Sequence, residues 1–404
     1  MFLGSDGLRS RLSRGQSPEP IGRELLGLLQ QAWADKDERL VNIGFQGMNN
    51  YIRTCGWSGH SFLGLADEAC RFMDSHPVPG ADFTRMSDTF IFFSLTVGKS
   101  ALESGGEPAI FMQPILRQED PGPTVNAGWS AFEARLLQAE YLGLRGGDAA
   151  PLLRDAEQRL LRYRDTALGT QFDLQLRLLQ AQYLGGSEAW AELEACLNRL
   201  KTKQEGPFAP GADLLAKARI CLARYLLDQA RDAGPLLGIT REALDAEMAN
   251  RRSNKLVLAD RLAEFCLLEA KSGGNASATL RRGLQETEPI LQATQYGEDY
   301  AASRTFGPKS SLGTTFIFNA PSPCVGRTHL IRGELLLALA QTDRPASRRW
   351  AHRAQQSFLE ALRYNVNLKR ILAPLQDEAR RLTSQGEPDQ AQIPVPDQWK
   401  SKLQ

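Results

Sequence analysis

From Pro20 to Thr383 apolar residues return every three or four positions, the spacing that gathers them on one face of an α-helix. Period-two alternation is nearly absent, and Thr314–Phe318 is the single convincing β-like stretch. The pattern predicts first helices near 38–55, 87–104, 129–145, 171–185, 212–232, 254–272 and 325–341. Second helices are predicted near 60–75, 149–165, 187–203, 239–250, 275–293 and 345–364, with a closing helix near 366–383. Paired glycines at 105–106, 146–147, 185–186 and 273–274 stand where helices should close, because a left-handed terminal residue costs glycine no Cβ clash.

One segment recurs at a fixed interval. Arg135-Leu-Leu-Gln-Ala-Glu-Tyr-Leu142 returns as Arg177-Leu-Leu-Gln-Ala-Gln-Tyr-Leu184, and more loosely as Arg219-Ile-Cys-Leu-Ala-Arg-Tyr-Leu226, each step being 42 residues. The second helices repeat too: Leu153, Ala156 and Leu160 correspond to Leu193, Cys196 and Leu200, at a step of 40. A period in this range marks a repeat architecture in which each unit packs on its neighbours. The expected fold is all-α, a solenoid of about seven helix–turn–helix units spanning 20–383. A leader (1–19) and a polar, proline-rich tail (384–404) are expected to be disordered. Two stretches break the rhythm. Residues 105–128 carry four prolines around Ala109–Met112, and residues 294–324 hold Tyr296, Tyr300, Phe306, Phe316 and Phe318. Both read as long insertions between helices.

The last unit carries a resemblance. Ala354-x3-Phe358-x2-Ala361-Leu362-x2-Asn365, with Gly333 preceding Leu335-Leu336, resembles a tetratricopeptide repeat. A small residue lets two helices approach, and a large one fills the space beside it. The resemblance covers about 130–364 at the level of architecture. It departs from the family in its 40–42-residue step, against 34, and in having Val366 where a proline follows the second helix. It implies a right-handed superhelix with a concave groove lined by first helices, in a family that mostly binds proteins or peptides.

Composition narrows the partners. Hydrophobic residues make up 42% and charged residues 24%, as in an ordinary folded chain, and the formal net charge is +1. Any electrostatic partner must therefore meet a local patch. No run approaches the ~18 apolar residues that a membrane span needs. The amino terminus lacks the apolar core of a secretory signal, so the cytoplasm is the expected compartment. The six cysteines form no CxxC pair, and Cys196, Cys221 and Cys266 read as small buried hydrophobes. The four histidines show no metal-ligand spacing with them, and neither a metal nor a cofactor is expected. Gly307–Thr315 and Thr96–Ser100 lack the spacing of a phosphate loop, and Gly56–Gly59 lacks that of a nucleophile elbow.

Two candidate surfaces remain. Arg135, Arg177 and Arg219 open the three repeat copies and would stack as a ladder able to grip a carboxylate-bearing peptide. The competing structural reading lays each stem on apolar surface and pairs each guanidinium with an acid of a neighbouring unit. The tyrosines 141, 183 and 225 read as inter-helix core residues more readily than as a groove lining. The second surface is a basic face on the last unit, formed by Arg348, Arg349, Arg353 and Arg363 with His352; residues 326–381 hold eleven Lys/Arg against five Asp/Glu. The leading expectation is a scaffold or adaptor, without catalysis, that binds a protein or peptide, an acidic one being a candidate. Alternatives are a nucleic-acid-associated repeat protein using the basic face, and an enzyme with its site in the two long loops.

Overall fold

The computed structural model describes residues 17–58, 61–76, 83–116, 125–163, 167–201, 212–249, 255–273, 276–296 and 325–385. Among these it contains α-helices and short 3-10 turns and no strand. The helices are α1 (Glu19–Ala34), α2 (Glu38–Ser58), α3 (Leu63–Ser75), α4 (Phe83–Glu103), α5 (Ala109–Leu116), α6 (Val125–Arg145), α7 (Ala150–Leu160) and α8 (Ala167–Tyr183). There follow α9 (Gly186–Lys201), α10 (Ala212–Asp228), α11 (Gly234–Ala249), α12 (Lys255–Ser272), α13 (Ala276–Tyr296), α14 (Val325–Thr342), α15 (Ser347–Tyr364) and α16 (Lys369–Gln385).

They pack in two layers. The even-numbered helices α2 to α14 contact one another in sequence, and each also packs on odd-numbered neighbours. The seven inner helices are those the apolar periodicity predicts. The fold is an all-α solenoid. Its core runs between the layers: Leu153, Ala156 and Leu160 of α7 and Leu193, Cys196 and Leu200 of α9 are all buried, so the second-helix repeat is the core-facing stripe.

Two outer helices are additional to the predicted pairs. Helix α1 packs on α2 through Leu25 and Leu29, which lie against Gly47 and Gly44. Helix α5 occupies the proline-rich interruption at 105–128. Its eight residues bury Phe111, Met112 and Ile115, and it fills the outer position beside α4 and α6. The first half of that interruption is therefore a short second helix rather than an insertion; the prolines around it hide its periodicity. Helix α11 begins at Gly234, five residues before its predicted start, where Asp232 Oδ1 accepts the Gly234 N–H at 2.8 Å and Pro235 suits the first turn. Residues 297–324, including Thr314–Phe318, and the leader up to residue 16 and tail from 386 lie outside the described residues.

The small-against-large packing of the last unit is present: a Cβ at Gly333 would collide with the Phe358 ring. Glycine at 105 has φ +87°, as a helix-closing residue requires, and its position has a second demand. A Cβ there would sit 2.9 Å from the Val366 nitrogen. The C-terminal unit docks at this point. Asn365 Nδ2 donates to the Leu102 carbonyl at 3.1 Å, and Asn367 Nδ2 donates to the Gly106 carbonyl at 3.2 Å. Both asparagines are buried; the Leu102 carbonyl lies in the last turn of α4, where it also accepts from the Gly105 N–H at 3.4 Å, and Gly106 lies in the turn that follows. Arg370 reaches the Gly143 carbonyl at 3.4 Å, and α16 and the 366–368 turn touch α6. The array thus curls until its last helices meet α4 and α6, with the inner helices facing one another. No described helix is long and apolar enough to cross a membrane.

Candidate partner-binding surfaces

The curl brings charged side chains of the inner helices together. Lys217 of α10 lies 3.8 Å from Glu140 of α6, passing over α8. Arg224 of α10 reaches Glu334 of α14 at 3.1 Å, passing over α12. Pairs that skip a helix need a strongly concave face. Between them, Glu264 of α12 accepts from Arg327 of α14 at 2.9 Å and lies 3.8 Å from Arg224. Arg261 reaches Asp213 at 2.8 Å and Asp260 at 3.3 Å, and Thr328 donates to Asp260 at 3.2 Å.

The electrostatics follow from this crowding. Burial raises the Glu264 carboxyl, but Arg327, Arg261, Arg224 and Lys217 overcome it and hold the group at about 2. Asp260 is raised: burial outweighs Arg327 and Arg261, and Glu264 adds to the rise. Farther along the face, burial also raises Glu103 and Glu133 against the pull of Lys99. The face is not sealed. Side-chain exposure is 34% for Arg224, 28% for Glu140, 26% for Arg327 and 20% for Lys217, so each keeps part of its side chain open to solvent.

Cys221 packs against the apolar core, as expected, but is only half-buried and also borders this face. It accepts from Gln182 Nε2 at 3.3 Å, and its thiol, raised by burial, lies in the fields of Glu264, Lys217, Arg327 and Arg224. Tyr183 shares the setting: its ring would meet a Cβ at Gly143, and its phenol is raised by burial and then by Glu140. Tyr225 stacks on Trp190 at 4.5 Å, and Tyr141 is half-buried against Ile91, Leu95 and Leu102.

The three repeat arginines occupy different surroundings. Arg135 is buried, bonds Asp155 of α7, and donates to the Ala131 carbonyl at 2.8 Å. Burial works against the Asp155 charge, but Arg135 and Arg159 hold the carboxyl below its usual range. Arg177 gathers three acids: Glu157 and Glu192, each at 2.7 Å, and Asp173 at 3.2 Å. Its guanidinium is raised by them in spite of burial. Arg219 is 5% exposed and has no hydrogen bond or ion pair among the described residues; burial lowers it. The equal spacing places these residues alike on their helices, but the acids that face them come from α7 and α9, and α11 supplies none.

On the basic face, Arg348, Arg349, His352 and Arg363 of α15 are exposed and Arg353 is half-buried. Arg363 lies 3.5 Å from Glu360, and Gln356 meets His352 at 3.2 Å. The Arg353 guanidinium lies over the Trp350 ring at 5.2 Å. Arg353 also lines a cleft of about 350 Å³ with Arg332 of α14 and Leu284, Gln285, Glu288 and Pro289 of α13.

The inner network was not singled out from sequence, although a signal exists. Asp260-Arg261 and Glu264 interrupt the apolar run from Leu256 to Leu268 on the most buried helix of the array. Charges at core-phase positions require partners, and the partners lie 48 to 68 residues away. No protein-family model, no curated protein and no solved structure matches this chain, so its classification rests on the helical-repeat architecture alone.

Proposed function

We propose that this chain is a protein-binding scaffold that acts by recognition, using the concave face of its inner helices to hold a segment of a partner protein. The observation that carries the reading is the partly exposed charged band from Lys99 and Glu140 through Lys217 and Arg224 to Arg327 and Glu334. Such a band offers a polar partner segment ion pairs to exchange into, and rigid helices hold its register. The tetratricopeptide-like packing of Gly333 against Phe358 supports the same class, since that family mostly binds proteins or peptides.

The test compares affinity capture by the wild-type chain with capture by Lys217→Glu and Lys217→Arg, after circular dichroism shows that each is folded. A stoichiometric partner lost with glutamate and kept with arginine supports the inner face. A partner kept by both removes it. The exposed arginines of α15 support a second reading, nucleic-acid binding; absence of any mobility shift with RNA or DNA at low salt would sink that reading.

A further inference from the structure

Helix α13 carries Pro289 in its interior. Proline has no N–H, so the Gln285 carbonyl one turn back loses its helical donor. The cleft of about 350 Å³ opens at this point, with Leu284 and Pro289 as its apolar walls and Arg332 and Arg353 as its charged ones.

The two arginines are held differently. Arg332 Nη1 reaches Glu288 Oε2 at 2.9 Å, on a carboxylate that is about half exposed. Among the described residues Arg353 makes no ion pair; it rests on Trp350, and that indole is fixed in turn by donating to Asp343 Oδ2 at 3.2 Å. The stack orients the guanidinium and leaves its donors free. Burial, and then Arg332 and Arg349, lower the Arg353 guanidinium, as expected where cations crowd without enough anion. Among the described residues Arg332, Arg349 and Arg353 stand about Glu288, while Arg281, over the same indole at 5.6 Å, pairs with Asp343 at 3.4 Å, which leaves an excess of two positive charges. A carboxylate would cancel one of them, whereas a phosphate monoester carries about −1.5 to −2 at neutral pH.

We infer that this cleft receives the phosphorylated side chain of a partner protein, gripped by Arg353 and Arg332, with Leu284 and Pro289 against its aliphatic part. Glu288 is the internal acid that the phosphate displaces from Arg332. The inference rests on the protein-binding reading for the source of the phosphate. Its small size and apolar walls, with an acid at the rim, suit one side chain better than a nucleic-acid backbone.

The experiment is calorimetric titration of the full chain with N-acetyl-O-phosphoserine amide, inorganic phosphate and N-acetyl-glutamate amide. The phosphoserine amide should bind the wild type most tightly. Arg353→Gln should weaken it at least tenfold, and Glu288→Gln, which removes the internal competitor, should tighten it severalfold. No binding by either the wild type or Glu288→Gln would overturn the inference, as would an unchanged affinity in Arg353→Gln. Equal binding of the glutamate amide would make the site one for carboxylates, and equal binding of inorganic phosphate would make it a simple ion site; either result overturns the proposal. A partner still captured in full by folded Arg353→Gln would remove the cleft and leave the scaffold reading standing.

Discussion

Replacing Glu264 with glutamine probes the inner charge network at its centre. The substitution keeps the volume and removes the one carboxylate that Arg327, Arg261, Arg224 and Lys217 together hold at about 2. In the unfolded chain that group returns to its ordinary 4.5. At 1.36 kcal/mol per pH unit, the difference amounts to about 3 kcal/mol of folding free energy at neutral pH. That size agrees with the roughly 3–5 kcal/mol lost when one partner of a buried ion pair is removed. The sign is fixed by the direction of the shift. A carboxyl depressed by folding stabilises above its unfolded value of 4.5, and the contribution is lost as the pH falls toward 2. Asp260 is raised by burial and further by Glu264, so the glutamine relieves it and offsets part of the loss, an effect smaller than that of either Arg327 or Arg261 on the same carboxyl. Urea denaturation should therefore show Glu264→Gln less stable by about 3 kcal/mol at pH 7, with a gap of roughly 1 kcal/mol at pH 3. A gap under about 1 kcal/mol at pH 7, or one that does not change with pH, would refute the reasoning.

Three further outcomes follow from the same contacts. Arg177→Met should cost about 1–3 kcal/mol, because it leaves Glu157, Asp173 and Glu192 crowded without a cation, whereas Arg219→Met should be neutral or stabilising, since it removes a buried charge with no partner among the described residues. Thermal melts of the two variants check the contrast, and equal losses would refute it. Gly333→Val should lower stability by about 1–3 kcal/mol through collision with Phe358, measured by denaturant midpoint. Asn367→Ala should cost about 1–3 kcal/mol and speed hydrogen exchange across 100–106, because the Gly106 carbonyl loses a buried donor; unchanged exchange there would deny the docking of the C-terminal unit.

The fold was legible because its determinants are local. Each inner helix declares itself by a three-to-four spacing, and helix ends are punctuated by glycines, of which 105, 146, 185, 186 and 273 have positive φ. Helix α5 escaped because eight residues, following Pro108 and containing Pro114, give barely two turns of period. The site was less legible for a different reason. Arg135, Arg177 and Arg219 share a register, but what a guanidinium does depends on acids of other helices, and those acids do not repeat. Likewise nothing near Asn365 announces the Leu102 carbonyl, 263 residues away in the chain. Of the basic face, Arg348, Arg349, Arg353 and Arg363 were all visible as charge. The cleft was not, because it needs Arg332 and the Pro289 break from two other helices.

The central claim is that a partner protein lies along the concave face. Amine-reactive cross-linking of the chain with its co-purified partner, read by mass spectrometry, tests this directly, because Lys217 is reachable on that face and Lys99 is exposed beside Glu103 and Glu133. Partner cross-links at Lys217 and Lys99 are expected. A stoichiometric partner cross-linked only at exposed lysines outside the inner helices, Lys36 in the α1–α2 turn and Lys369 of α16, would contradict it.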